Sequence, residues 1–288
     1  MFKRPGVTRR VNLRKTLFIL PNLVTLSSVF CGFDAIRLSA EANGGPAAER
    51  EDDFLRAAIL ICFSMVFDML DGRVARMTKT QSAFGLQIDS LADVIAFGVA
   101  PAVLVYEWTL QRFGTFGLVG SFLYVACAAV RLARFNVLST ASDGKPAKPS
   151  KYFLGLPTPP AAGILVSIVV ANHALAGTIG RAEYAWVILA ITIGLSFLMV
   201  SNVQFRTFKD LRPNLRGLLF IAFAIGSSAV VLTQMKPAFV LVWLLGLYVM
   251  MGIFETLWRL PGKLKERRAP VDAAVAEPTA TSSRRSSP

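Results

Sequence analysis

Four aspartates, Asp68, Asp71, Asp89 and Asp93, stand in the stretch "DMLDGRVARMTKTQSAFGLQIDSLAD" at residues 68–93, between two long apolar runs. Asp68 and Asp71 are three apart and Asp89 and Asp93 four apart, so on helices each pair shares one face. The connection between the pairs is short, which predicts antiparallel neighbouring helices whose acidic faces meet. Four like charges gathered there repel, each close pair costing about 4 kcal/mol at an effective dielectric of about 20. The connection offers Arg73, Arg76 and Lys79 as cations, too few to compensate. Two divalent ions would balance four carboxylates, and hard oxygen ligands on rigid helices suit Mg²⁺ or Mn²⁺.

The residues between the aspartates suit a phosphate-bearing ligand. Gly72 and Gly85 stand within about one helical turn of a carboxylate, and Ala75 is small, so a nucleotide can approach closely. Arg76 is placed to grip a phosphate, and Ser82 adds a hydroxyl. Two metals bridging a diphosphate can stabilise both the attacking and the leaving oxygen of an in-line displacement. One aspartate at the end of an apolar run would read as a helix cap or a solvated charge. Four, paired by helical spacing and interleaved with Gly, Ala and Arg, point to a metal-dependent site.

Membrane helices must position these groups. Of 288 residues, 54% are hydrophobic and 17% charged, well above a soluble globular composition. Apolar runs of about 20 residues recur, the length a helix needs to cross roughly 30 Å of hydrocarbon. We read spans near 17–38, 53–71, 86–108, 115–135, 156–175, 183–201, 217–233 and 237–257. The fold class is all-α: a polytopic membrane helix bundle of about eight transmembrane helices. No internal repeat suggests the inverted halves of a transporter.

The formal charge of +13 alone would admit nucleic acid as a partner, but the position of the charge argues against it. With the N-terminus cytoplasmic, Lys and Arg concentrate in both tails and the inner gaps, while the outer gaps hold Arg37, Arg50, Arg112, Arg181 and Lys236. This positive-inside asymmetry puts both termini and the aspartates on the cytoplasmic side of a cell membrane, facing anionic lipids. Tyr106, Trp108, Tyr184 and Trp186 fall at outer ends and Trp258 at an inner end, as an aromatic belt would have them. Cys31, Cys62 and Cys127 lie inside spans at no metal-ligand spacing and read as small buried side chains. The basic start, "MFKRPGVTRRVNLRK", is expected to lie on the inner surface, and the apolar run after it is long enough to stay as an anchor. The loop "STASDGKPAKPSK" is expected to be mobile, and the tail from residue 261, rich in Pro, Ser, Ala and charge, to be disordered.

The aspartate stretch resembles the signature of the CDP-alcohol phosphotransferases, Asp-x-x-Asp-Gly-x-x-Ala-Arg-x8-Gly-x-x-x-Asp-x-x-x-Asp. Asp68, Asp71, Gly72, Ala75, Arg76, Gly85, Asp89 and Asp93 match every fixed position. The resemblance implies a six-helix membrane core, usually dimeric, that joins a CDP-linked donor to an alcohol and releases CMP. It implies Asp68, Asp71 and Asp89 as metal ligands, and Asp93 as both a metal ligand and the base that takes the acceptor's proton. Asn22 and Thr25, which share a helical face, resemble the family's Asn-x-x-Thr contact to the cytidine nucleotide. Gly72, Arg76 and Ser82 resemble its other donor contacts, with Ala75 and Gly85 leaving room for the same ligand. On this reading residues 1–15 are a basic juxtamembrane segment and 16–215 the phosphotransferase core. Residues 216–260 are two additional helices and 261–288 a cytoplasmic tail.

Four flanking stretches, "DVIAFGVAPA" at 93–102, "RLARFN" at 131–136, "GLPTPPAA" at 155–162 and "LMVSNVQFRTFKDL" at 198–211, are similar to the membrane-integral branch of the family that uses L-serine. That resemblance implies CDP-diacylglycerol as donor, L-serine as acceptor, membrane-lipid surroundings, a bacterial inner membrane and a homodimer. An acceptor with a carboxylate needs an Arg or Lys clamp. Arg131 and Arg134 are candidates, with Asn136 and Lys151 on the same side, and the same clamp would serve a lipid phosphate. Each has a plainer reading, since positive charge suits a helix C-terminus and Pro157, Pro159 and Pro160 suit a helix start. The one histidine, His173, lies on the expected outer side, which excludes a phospho-histidine route. Alternatives are a phosphatidylglycerophosphate, phosphatidylinositol-phosphate or phosphatidylcholine synthase within the family. Outside it, a divalent-cation transporter would line a path across the bilayer instead of clustering its acids at one surface. A structural scaffold would leave the acidic cluster unexplained.

Overall fold

Hydrocarbon offers no partner to a free backbone N–H or C=O, so each apolar run has to satisfy its own groups as a helix. The computed structural model of the protein describes residues 13–78, 83–139, 152–206, 226–228, 232–233, 237 and 239–253. The helices are α1 (Leu13–Ala42), α2 (Ala47–Thr78), α3 (Ala83–Asp93), α4 (Ala100–Trp108), α5 (Thr115–Ser139), α6 (Thr158–Ala174) and α7 (Ala182–Val200). A further helix, α8 (Phe239–Ile253), follows near the C-terminal end. A π-helical stretch, Val94–Val99, joins α3 to α4 with helical backbone at both junctions, making one rod from residue 83 to 108. Two three-residue strands, β1 (Tyr152–Leu154) and β2 (Gln204–Arg206), pair antiparallel with Phe153 opposite Phe205.

The architecture is the expected all-α membrane bundle, with the short β1–β2 ladder as an unanticipated addition. Pro21–Ala42, Phe84–Trp108, Thr115–Leu138 and Ala182–Val200 are long and apolar enough to cross a membrane. Three of the other expected spans differ for identifiable reasons. α2 is interrupted by Arg56, Asp68 and Asp71, and α6 and α8 are apolar but shorter. α6 sits at the centre, packed by α2, the π stretch, α4 and α7. It is apolar on every side because it is buried on every side. Phe54, Ile61, Leu104, Tyr124, Leu165 and Ile188 fill the surrounding core. Phe30, Phe33, Phe116, Phe122 and Phe197 point outward; in water they would form an adhesive patch, whereas lipid tails match them.

Close backbone approach sets the distances between helices. A Cβ on Gly32 of α1 would lie 2.9 Å from Ala96 Cα in the π stretch, and one on Gly98 would lie 3.4 Å from Ala128 Cβ of α5. Small residues at such crossings let helices pack by van der Waals contact where lipid supplies no hydrophobic drive. Ser28 and Ser64 tie α1 to α2, their hydroxyls 2.6 Å apart. Gly155, at φ +80°, turns the chain into α6 with its N–H on the Val203 carbonyl at 2.9 Å. The start of α6 is thereby fixed to the end of α7.

Trp108 is not a belt residue as expected: it is buried, with Gly180 packed against its indole. Tyr184 and Trp186 are exposed near the start of α7. The three cysteines are free thiols inside helices, Cys31 buried and the others half-buried. Lys79, Ser82, Lys151, Trp258, the basic residues 1–12, most of the loop 139–151, most of the span 217–233 and the tail 261–288 lie outside the described residues.

Candidate active site

Because α2 continues as helix to Thr78, Asp68 and Asp71 project from mid-helix on one face. Asp89 stands on α3, and Asp93 is its last residue before the π stretch. One carboxylate oxygen from each of Asp68, Asp71 and Asp89 lies within 4.8 Å of the others. The acidic faces therefore meet, with one revision to the expected geometry. α1 packs along α2 and also against α3, the π stretch and α4, so it is the shared neighbour of both acidic helices.

α1 contributes directly to the cluster. Thr25 Oγ1 donates to Asp71 Oδ2 at 2.7 Å, with the Pro21 carbonyl 3.1 Å away as a second acceptor. Asp71 also accepts from the Gly72 N–H. The Arg76 guanidinium folds back over Gly72, 3.5 Å from where a Cβ would stand. Asn22 lies half-buried on α1 about one turn before Thr25, and Gly85 half-buried on α3 about one turn before Asp89. Ala75 occupies the same end of α2 as Arg76. The candidate donor contacts are thus carried by α1, α2 and α3, Ser82 lying outside the described residues.

Asp93 faces a different environment. Its carboxyl hydrogen-bonds with that of Asp68, and it interacts electrostatically with Asp89 and Arg131. Arg131 is the only buried Lys or Arg among the described residues, and it donates from Nη1 to Thr158 Oγ1 at 3.0 Å. The two candidate arginines part here. Arg134 turns to the C-terminus of α7, donating to the Val200 carbonyl at 3.3 Å and to Asn202 Oδ1 at 2.8 Å, a capping arrangement favoured by the helix dipole. Asn136 is tied to α3 through Ser90, its Nδ2 donating to Ser90 Oγ at 2.8 Å.

As a donor set, three converging carboxylates on rigid helices fit a hard divalent cation, and a thiol or imidazole ligand is not among them. Residues 18–198 match the CDP-alcohol phosphatidyltransferase family. The chain belongs to that family. Over 242 residues it is 37% identical to a CDP-diacylglycerol–serine O-phosphatidyltransferase of Helicobacter pylori, an alignment covering 84% of this chain and 92% of that protein. It is 33% identical over 250 residues to the Mycobacterium tuberculosis protein of the same name, covering 85% and 79%. An archaetidylserine synthase of Methanothermobacter thermautotrophicus is 34% identical over 193 residues, covering 66% and 71%. The chain is therefore a membrane-embedded phosphotransferase of a family that uses divalent metals, and the transporter and scaffold readings lapse.

Three residues near the site escape a reading of the sequence. Thr158 holds Arg131, Ser90 holds Asn136, and Tyr248 lies within electrostatic range of Arg131. Thr158 is embedded in the "GLPTPPAA" stretch, whose prolines draw attention to helix initiation and away from the hydroxyl. Ser90 directly follows Asp89, but nothing in its spacing indicates a partner on α5. Tyr248 carries no local signal at all.

Proposed function

We propose that this protein transfers the phosphatidyl group of CDP-diacylglycerol to the hydroxyl of L-serine, giving phosphatidylserine and CMP. One observation carries the reading: carboxylates of α2 and α3 converge to within 4.8 Å, and Asp93 sits at their edge facing a buried guanidinium. Asp68, Asp71 and Asp89 would hold divalent metal, with Asp93 completing the set. Mg²⁺ or Mn²⁺ there, two ions by charge balance, would neutralise the donor diphosphate and stabilise the entering and leaving oxygens. Asn22, Thr25, Gly72, Ala75, Arg76, Ser82 and Gly85 form the nucleotide side. Asp93 takes the serine hydroxyl proton. The serine oxygen bonds to the phosphorus that carries diacylglycerol, the bond from that phosphorus to the CMP oxygen breaks, and CMP departs with the electron pair.

Arg131 is the better clamp for the serine carboxylate, since it is buried beside Asp93 while Arg134 is engaged by α7. Asn136 supports that side through α3. The distribution of Lys and Arg supports a multi-pass protein of the cell membrane with both termini and the site cytoplasmic, working as a homodimer. CMP release from CDP-diacylglycerol, measured across a panel of acceptors, tests the assignment. Serine should be the fastest acceptor, and glycerol 3-phosphate outpacing it would overturn the choice of substrate.

A further inference from the structure

α8 lies beyond residue 198, where the family match ends, yet it is seated on the core. A Cβ on Gly163 of α6 would lie 3.0 Å from Leu245 Cδ1 and 3.7 Å from Met65 Cε of α2. Gly163 is thus the socket into which Leu245 fits. Tyr248 follows Leu245 by three residues, so it shares that face of α8, and it packs against the same core. Its phenol interacts electrostatically with the Arg131 guanidinium.

Arg131 has donors to spare. A guanidinium presents five N–H groups in a planar fork. Nη1 is satisfied by Thr158 Oγ1 at 3.0 Å, while the buried Nε has no hydrogen-bond partner among the described residues. A buried, unsatisfied donor is unfavourable, and an anionic ligand group would relieve it. Asp93, the neighbouring carboxylate, is already engaged with Asp68.

We propose that α8 completes the acceptor side of the site: Tyr248 and Thr158 hold Arg131 from two directions, so that its remaining donors face a carboxylate of the acceptor beside Asp93. The inference rests on the phosphatidyl-transfer reading. Tyr248 acts through Arg131 and is a positioning residue. A phosphate of the donor lipid offers Arg131 similar chemistry, and the donor and acceptor KM values separate the two.

The test follows CMP release by the full chain in lipid nanodiscs for wild type, Tyr248→Phe, Arg131→Lys and the double variant. Tyr248→Phe keeps the ring in its seat and removes only the hydroxyl. We expect its serine KM to rise about three- to tenfold, the loss of one ordinary polar interaction, with kcat and donor KM within about twofold of wild type. The double variant should be no worse than Arg131→Lys alone, because the phenol acts through the guanidinium. An unchanged serine KM in Tyr248→Phe, a parallel rise in donor KM, or additive losses in the double variant would overturn this inference and leave the transfer reading standing. Wild type preferring glycerol 3-phosphate would overturn the serine assignment and with it the acceptor carboxylate on Arg131, and the same KM split, measured with that acceptor, then decides whether Tyr248 holds Arg131 toward a phosphate instead. Wild type releasing CMP with no acceptor would overturn both.

Discussion

Thr25→Val separates two roles for α1. By family resemblance Thr25 touches the cytidine nucleotide, whereas in the structure its hydroxyl donates to Asp71 Oδ2 at 2.7 Å, with both side chains 5% exposed. Valine keeps the shape and puts a methyl group against the carboxylate. A hydrogen bond to a charged group contributes about 1.5–3 kcal/mol. At roughly 1.4 kcal/mol per decade, Asp71 without its orienting donor should bind metal about ten- to a hundredfold more weakly, the range known for outer partners of metal ligands. A metal that binds only the folded state raises the melting temperature by mass action. Mg²⁺ can therefore be titrated against Tm with no nucleotide present, and the variant's curve should shift to higher Mg²⁺ by that factor. CMP release should recover substantially at saturating Mg²⁺. An unshifted Mg²⁺ curve together with a raised donor KM would refute the tuning of Asp71 and leave Thr25 as a nucleotide contact alone.

Four further outcomes are expected. Asp93→Asn should keep the fold and most of the CDP-diacylglycerol affinity while CMP release falls about 10²-fold or more, read as kcat against donor KM. Asp68→Asn, Asp71→Asn and Asp89→Asn should each nearly abolish turnover, as should chelation of the wild type; full activity in excess chelator would rule out metal dependence. Arg134→Ala should lower stability by about 1–2 kcal/mol through the uncapped end of α7, seen as a Tm decrease, with serine KM unchanged. Gly32→Val has to push α1 off the π stretch, since its Cβ would stand 2.9 Å from Ala96 Cα; overpacking costs about 1–3 kcal/mol, so melting should occur earlier and a wild-type Tm would mean that the crossing yields.

The acidic cluster was legible because helical spacing is a property of the chain itself: residues three and four apart share a face whatever surrounds them. The helices were legible for a similar reason, since apolar length reports the solvent. Neighbours were not. Arg131 and Arg134 have the same spacing as Asp68 and Asp71, yet one turns to Thr158 and the other to Asn202, a split set by which helix packs on each side of α5. The position of α1 between the acidic helices follows from Gly32, Ala96 and the Ser28–Ser64 pair, small residues whose meaning appears only at contact distance. The π stretch is equally silent, because "VIAFGV" is apolar at nearly every position and carries no period to read. Trp108 looked like a belt residue by position along its helix, but Gly180 covers its indole.

The rod formed by α3, the π stretch and α4 divides the site. Asp89 belongs with α2 and α1, where Thr25 and Gly72 orient the neighbouring carboxylate. Asp93, about one turn further on, reaches Asp68 on one side and Arg131 on the other. A base for an acceptor hydroxyl has to stand near both the metal-bound donor and the acceptor, and on our reading Asp93 occupies that seam. Its counter-charge comes from α5, steadied by α6 through Thr158 and, as we propose, by α8 through Tyr248. The nucleotide half is then built from the signature stretch together with α1, and the acceptor half from helices that follow them. Variation in α5, α6 and α8 can therefore change the alcohol without disturbing the carboxylates that handle the diphosphate.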